Sequence, residues 1–174
     1  VPLLEVNRVL VKHGLGQLTR STRPGILALK EVSGMGGTPV DTTGINFRFA
    51  PRINAAGRME EADEVVRLLL TEDEEEARKI AAHLDQLNSH RQRIEEKILA
   101  EAKRMIDSPA MAQGKKSFVL ASTNWHPGII GIVASRLTEE YYRPTILIAL
   151  QENLGKGSGR SIDPFSLYEG LKAC

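Results

Sequence analysis

Over the first third of the chain, apolar residues recur at helical spacing. Val6, Val9, Leu10 and Leu18, with His13 among them, form one face, and Ile26, Leu27, Leu29 and Val32 resume it after Arg23-Pro24-Gly25. This predicts two short helices within residues 1–34. Ser33 to Val40 holds three Gly and a Pro and reads as a loop. Thr42 or Thr43 is placed to cap a short helix through Phe49. Pro51 to Arg58 reads as a polar break between helices. Residues 60–70, with Val65, Val66, Leu68, Leu69 and Leu70, predict the next helix.

The middle of the chain carries the clearest pattern. Thr71-Glu72-Asp73-Glu74 is a capping-box sequence, with Thr71 as cap and Glu74 reaching back. Ile80, Leu84, Leu87, Ile94, Ile98 and Met105 follow at steps of three, four or their sum, seven, and Ser108-Pro109 closes the run. A helix from about Thr71 to Ser108 would reach roughly 54 Å at 1.5 Å per residue. A compact domain of the whole chain would have a radius of gyration of only about 16 Å. A dimerising coiled-coil-like helix and a rigid spacer between two lobes both fit that length. Arg91 and Glu101 interrupt the apolar seam, which favours the spacer.

Beyond Gly114 the texture changes. Ser117 to Ala121 and Pro144 to Leu150 read as buried strands, with a helix from Gly128 to Tyr141 between them. Strand, helix, strand at this spacing is a βαβ unit with parallel strands. Lys156 to Ser161 reads as another strand or a glycine loop, and Pro164 to Ala173 as a last helix. The predicted class is α/β. A helical segment (1–70) and a long connecting helix (71–109) lead into a small βαβ-containing domain (110–174).

The 174 residues are 26% charged and 41% hydrophobic, a globular composition. Apolar runs such as Thr145 to Leu150 fall far short of the roughly 20 residues of a membrane span. Cys174 is the single cysteine, so an intrachain disulfide and Cys-based zinc sites are excluded. No signal peptide is visible at the start. A soluble cytoplasmic protein is expected. The chain opens at Val1 without Met and stops at Cys174 just after a helical pattern, so a piece of a larger protein is expected. Net charge is +4 over residues 1–60, −5 over 61–110 and +2 over 111–174. A polyanion would bind the ends and avoid the middle.

Phosphate-loop and dinucleotide fingerprints are absent, as are Asp-x-Asp, His-x-His and Asp-His-His. His83 and His90 share a helix face without a carboxylate cluster, so no metal site is expected. Three segments carry candidate chemistry. Pro51-Arg52-Ile53-Asn54-Ala55-Ala56-Gly57-Arg58 offers two bidentate phosphate donors, or a loop whose arginines pair with the acids at 60–64. Trp125-His126-Pro127-Gly128 lies between a strand and a helix, where ligands collect in open parallel sheets; a turn with Trp125 packed on the core is the plainer reading. Gly155-Lys156-Gly157-Ser158-Gly159-Arg160-Ser161 combines hydroxyls, two cations and glycines that allow close backbone approach, or is a bland linker.

PRINAAGR, WHPGIIGIVASRL and GKGSGRS, in this order around a long charged helix, resemble RecJ-type single-stranded-DNA-specific exonucleases of the DHH superfamily. The opening VPLLEVNRVLVKHGL resembles the stretch after that family's last catalytic motif. The resemblance covers nearly the whole chain. It implies 5′–3′ cleavage of single-stranded DNA in repair and recombination, with Mn²⁺ or Mg²⁺ held by an N-terminal DHH domain whose motifs lie outside this sequence. No metal is therefore expected in this chain. The glycine-histidine motif that follows GSGRS in the family is also missing. The chain corresponds to the end of the DHH domain, the connecting helix and most of a DHHA1 domain. The matched motifs imply binding of the 5′ end and the phosphate backbone by Arg52, Asn54, Arg58, His126, Ser158, Gly159, Arg160 and Ser161, with the two arginine-bearing segments facing one cleft. A monomer that binds single-stranded DNA and no membrane is expected, catalytically inactive alone. Two rivals stand beside it: a DHH–DHHA1 phosphoesterase of short oligonucleotides or nucleotide phosphates, and a non-catalytic dimerising module.

Overall fold

The computed structural model describes residues 2–59, 62–108, 115–152 and 154–173. They group into two compact units, Val1–His90 and Arg91–Cys174.

The first unit is helical. Helix α1 (Glu5–Arg20) leads to α2 (Pro24–Val32). A short α3 (Thr42–Gly44) opens into a π-turn (Ile45–Phe49) that runs on into α4 (Ala50–Met59), followed by α5 (Asp63–Leu70) and the start of α6 (Glu74–Ile106). Leu29, Met35, Phe49, Ala55, Ala56, Leu68, Ala81 and Leu84 are among the buried core residues. Gly25 lies at the contact between α2 and α5. A methyl group there would sit 1.7 Å from the Leu68 carbonyl oxygen. Only a bare Cα lets the two helices meet, and the Arg23 guanidinium beside it donates to the Leu69 carbonyl.

Two local expectations need correction here. The cap of α3 is Asp41, whose Oδ1 accepts from the Gly44 N–H at 2.6 Å, so neither Thr42 nor Thr43 caps it. A carboxylate one residue earlier is a stronger acceptor at the positive end of a helix. The segment Pro51–Arg58 is not a polar break but most of α4. Pro51 sits in the first turn, where its fixed φ and missing N–H cost little. The π-turn ahead of it loosens the ladder at the place where a proline ring would clash.

Helix α6 is continuous across Asn88–Arg91, as the absence of Gly and Pro within it predicts, and its 33 residues span about 50 Å. The predicted stop at Pro109 and the predicted start of α5 at residue 60 fall outside the described residues. The cap of α6 lies two residues later than Thr71. Asp73 Oδ1 accepts from the Glu76 N–H at 2.9 Å, while Glu76 bonds the Thr71 hydroxyl at 2.5 Å and Arg67 at 2.6 Å. Asp73→Ala is expected to cost about 1 kcal/mol, read from denaturant midpoints. The Thr71 hydroxyl, then Arg67, holds the Glu76 carboxyl below its ordinary value. Its contribution is therefore present above the usual carboxylate range and lost as pH falls through the lowered value. Glu76→Gln should lower the thermal midpoint at neutral pH, and the gap from the parent should close in strong acid.

The second unit holds β1 (Phe118–Ser122), α7 (Ile130–Tyr141), β2 (Thr145–Gln151), β3 (Leu154–Arg160) and α8 (Leu167–Lys172), with the second half of α6. The described strands are ordered β1-β2-β3. β1 and β2 are parallel, as the βαβ spacing predicts, with Leu120 opposite Leu147. β3 returns antiparallel, which resolves the strand-or-loop alternative at Lys156 in favour of a strand. Phe118, Leu120, Leu147 and Ala149 alternate on a buried face, and Val133, Ala134 and Leu137 of α7 are fully buried. The last helix is shorter than Pro164–Ala173 because Ser166, accepting from the Glu169 N–H, caps it.

The polar residues that break the α6 seam have partners. Arg91 binds Glu95 at 2.5 Å, and Glu95, 2% exposed, also faces Arg136 Nε of α7 at 2.9 Å, in ion-pair rather than hydrogen-bond geometry. Glu101 accepts from the Ser122 hydroxyl at the end of β1.

Candidate functional site

Strand alternation sets the chemistry of β3. Lys156, Ser158 and Arg160 point to one side and Gly155, Gly157 and Gly159 to the other. Two of the glycines answer to packing. A methyl at Gly159 would come within 2.5 Å of Leu167 of α8, and one at Gly155 within 3.1 Å of Ile148. Packing accounts for glycine at these two positions, whereas a methyl at Gly157 would meet only ordinary contacts, the nearest at 3.7 Å.

On the opposite side, Ser158 and Arg160 stand against the first turns of α7. A methyl at Gly131 would lie 2.9 Å from Ser158 Oγ and 3.3 Å from Arg160 Nη2. Arg160 Nε donates to Ser135 Oγ at 3.0 Å, and Nη1 donates to Ser158 Oγ at 3.2 Å and to the Gly159 carbonyl at 2.7 Å. Ser135 Oγ in turn donates to the Gly131 carbonyl at 3.1 Å. The guanidinium is therefore held by three neighbours, while Nη2 has no hydrogen-bond partner among the described residues. A solvent-facing arginine fixed in this way, beside a hydroxyl and the positive end of a helix, is preorganised for an oxyanion.

The other predicted residues are distributed as follows. Ser161 does not join the cluster, since its hydroxyl donates to the Phe165 carbonyl at 2.6 Å. His126 lies in the turn before α7, where Nδ1 accepts from the Gly128 N–H at 3.1 Å. The neutral ring then carries its proton on Nε2. His126 lines a cavity of about 390 Å³ with residues of α6 and the ends of β1 and β2, and neither Ser158 nor Arg160 lines it. In the helical unit, Arg52 is engaged internally. Nε and Nη2 grip Asp85 at 2.8 and 2.7 Å, Nη1 donates to the Arg48 carbonyl and Nη2 to the Val32 carbonyl. Asn54 and Arg58, four residues apart on α4, are exposed.

Ser135 lies within WHPGIIGIVASRL but is the member of the cluster absent from the predicted site residues. Its signal was its place one helical turn after Gly131. No three His, Cys, Asp or Glu side chains come together among the described residues, so the residues present do not form a divalent-metal site. No helix among them is long and apolar enough to cross a membrane.

Residues 114–174 match the DHHA1 domain family. Over its full length the chain is 42% identical to the single-stranded-DNA-specific exonuclease RecJ of Bacillus subtilis, of which it spans 22%. It is 42% identical to RecJ of Thermus thermophilus over 99% of the chain and 24% of that protein. The crystal structure of Thermus thermophilus RecJ in complex with Mg²⁺ superposes with a TM-score of 0.85 at 40% identity, over 99% of this chain and 26% of that one. Its Mn²⁺ complex gives 0.84. The chain thus spans about a quarter of the relatives it matches. A DHHA1-family match at residues 114–174 and likeness along the whole chain to one segment of RecJ make this chain similar to RecJ over about a quarter of that protein's length.

Proposed function

We propose that this chain is the DNA-gripping segment of a metal-dependent 5′–3′ single-stranded-DNA exonuclease of repair and recombination, acting in the bacterial cytoplasm. In this reading residues 1–70 end the catalytic DHH-type domain and residues 110–174 belong to the DHHA1 domain. The supporting observation is the Arg160–Ser158–Ser135 cluster at the start of α7, a polar site built for phosphate oxygens and lacking any metal ligand. Exposed Arg58 supplies a second phosphate contact, and Arg52, through Asp85 and two carbonyls, fixes the helix that carries it. The segment holds and orients DNA; the nucleophile and its metals belong to the rest of the longer protein.

Two measurements test this. The chain should bind single-stranded DNA, with affinity falling steeply as salt rises, because phosphate contacts release counterions. It should release no nucleotides from that DNA with Mn²⁺ or Mg²⁺. Chelator-sensitive nucleotide release by the pure chain would refute the division of labour, and salt-insensitive or absent binding would refute the DNA reading.

A further inference from the structure

The cavity beside His126 has a chemistry unlike that of the Arg160 cluster. We propose that it is a nucleobase subsite, taking one base of the single strand; the inference rests on the DNA-binding reading above. The cavity lies at the carboxyl ends of the parallel strands β1 and β2, where open sheets present their ligand sites. Its volume of about 390 Å³ is in the range of small-molecule pockets.

The lining fits a flat, neutral, polar-edged ring better than a bare anion. Ile94 and Ile98, on successive turns of α6, and Pro127 supply an apolar surface for a ring face. Asn124 and Gln151 bring two side-chain amides to the rim, and neither amide is hydrogen-bonded among the described residues. An amide presents a donor and an acceptor side by side, the pattern that matches a base edge. Lys97 and Glu101 stand four residues apart on α6 and place opposite charges in the same wall. Glu101 opposes a free phosphate there, whereas Lys97 can meet the phosphate attached to a seated base. His126 adds an Nε2–H donor.

Trp125 supplies an independent sign. It lines the cavity yet is only 3% exposed, and its indole N–H is buried without a hydrogen-bond partner among the described residues. Buried donors are rarely left unpaired, and one that is calls for an explanation such as a group bound beside it.

Trp125 is also the only tryptophan of the chain, so its emission reports on this cavity alone. The experiment titrates the chain with a four-nucleotide deoxycytidine strand and with the same strand made abasic, following Trp125 fluorescence and, in parallel, the anisotropy of an end label. The deoxycytidine strand should give a saturable emission change, and the abasic strand at least a tenfold weaker one. Asn124→Ala combined with Gln151→Ala, both at exposed positions, should reduce the response to the abasic level with an unchanged circular dichroism spectrum. If the label reports binding while Trp125 does not respond, or if the two strands or the double variant give equal responses, the base subsite is wrong and the DNA reading stands. If neither signal moves, with this chain or with the longer protein, both fall.

Discussion

Gly25→Ala should destabilise the helical unit more than any other single methyl group added to it. The new carbon would lie 1.7 Å from a backbone oxygen, so no rotamer change can relieve the clash. Helices α2 and α5 must separate, which loosens the contact of Ala28 and Leu29 with Leu68 and releases the Arg23 bond to Leu69. Overpacking of this kind typically costs about 1–3 kcal/mol, and a contact with rigid backbone belongs at or above the upper end. The check is a denaturant melt followed by circular dichroism. A midpoint within experimental error of the parent would mean that α2 and α5 do not meet as described. Gly57→Ala is the matched control, because no atom lies within 4 Å of a methyl there and α4 gains helix propensity.

Arg160→Ala in the longer protein should weaken single-strand binding by about 1.5–3 kcal/mol, the range for a hydrogen bond to a charged group. The loss should be read as a shift in Kd on strands with and without a 5′ phosphate, and the salt dependence of binding should become shallower by about one phosphate contact. Folding should be little affected, since Arg160 is exposed. Ser135→Ala should show a weaker version of the same defect, because it removes the acceptor that aims Nε and leaves Ser158 and Arg160 in place. Wild-type binding and turnover by Arg160→Ala on both substrates would show that this side chain does not contact phosphate.

Most elements were legible because periodicity and capping act locally. The α6 seam and the break at Arg23-Pro24-Gly25 express contacts a few residues apart, and the parallel pair showed through its strand–helix–strand spacing, although its partners are distant in sequence. What escaped depends on distant partners or on backbone geometry. Arg52 looked like a free phosphate donor because Asp85, its partner, lies 33 residues away. PRINAAGR looked like a loop because proline and glycine signal breaks, and a π-turn has no sequence signature to overrule them. The capping box was displaced by two residues because Thr71-x-x-Glu74 and Asp73-x-x-Glu76 compete, and the structure uses the carboxylate with Thr71 as a second tether. At the Arg160 cluster, the motif showed Ser158 and Arg160 but not what they press against. Gly131 and Ser135 belong to a different segment, joined to β3 only by the sheet and its helix.

The pairing of Glu95 with Arg91 and Arg136 bears on how finely that cluster is aligned. A carboxylate 2% exposed is tolerable only with its countercharges in place. Arg136 is the residue after Ser135 on α7. Sliding α7 by one turn against this part of α6 would carry Arg136 roughly 5.4 Å from Glu95. It would leave Glu95 with its α6 neighbour Arg91 as its one described countercharge. The ion pair thus acts as an index pin: oily contacts hold α7 down, and a single buried charge decides which notch it occupies.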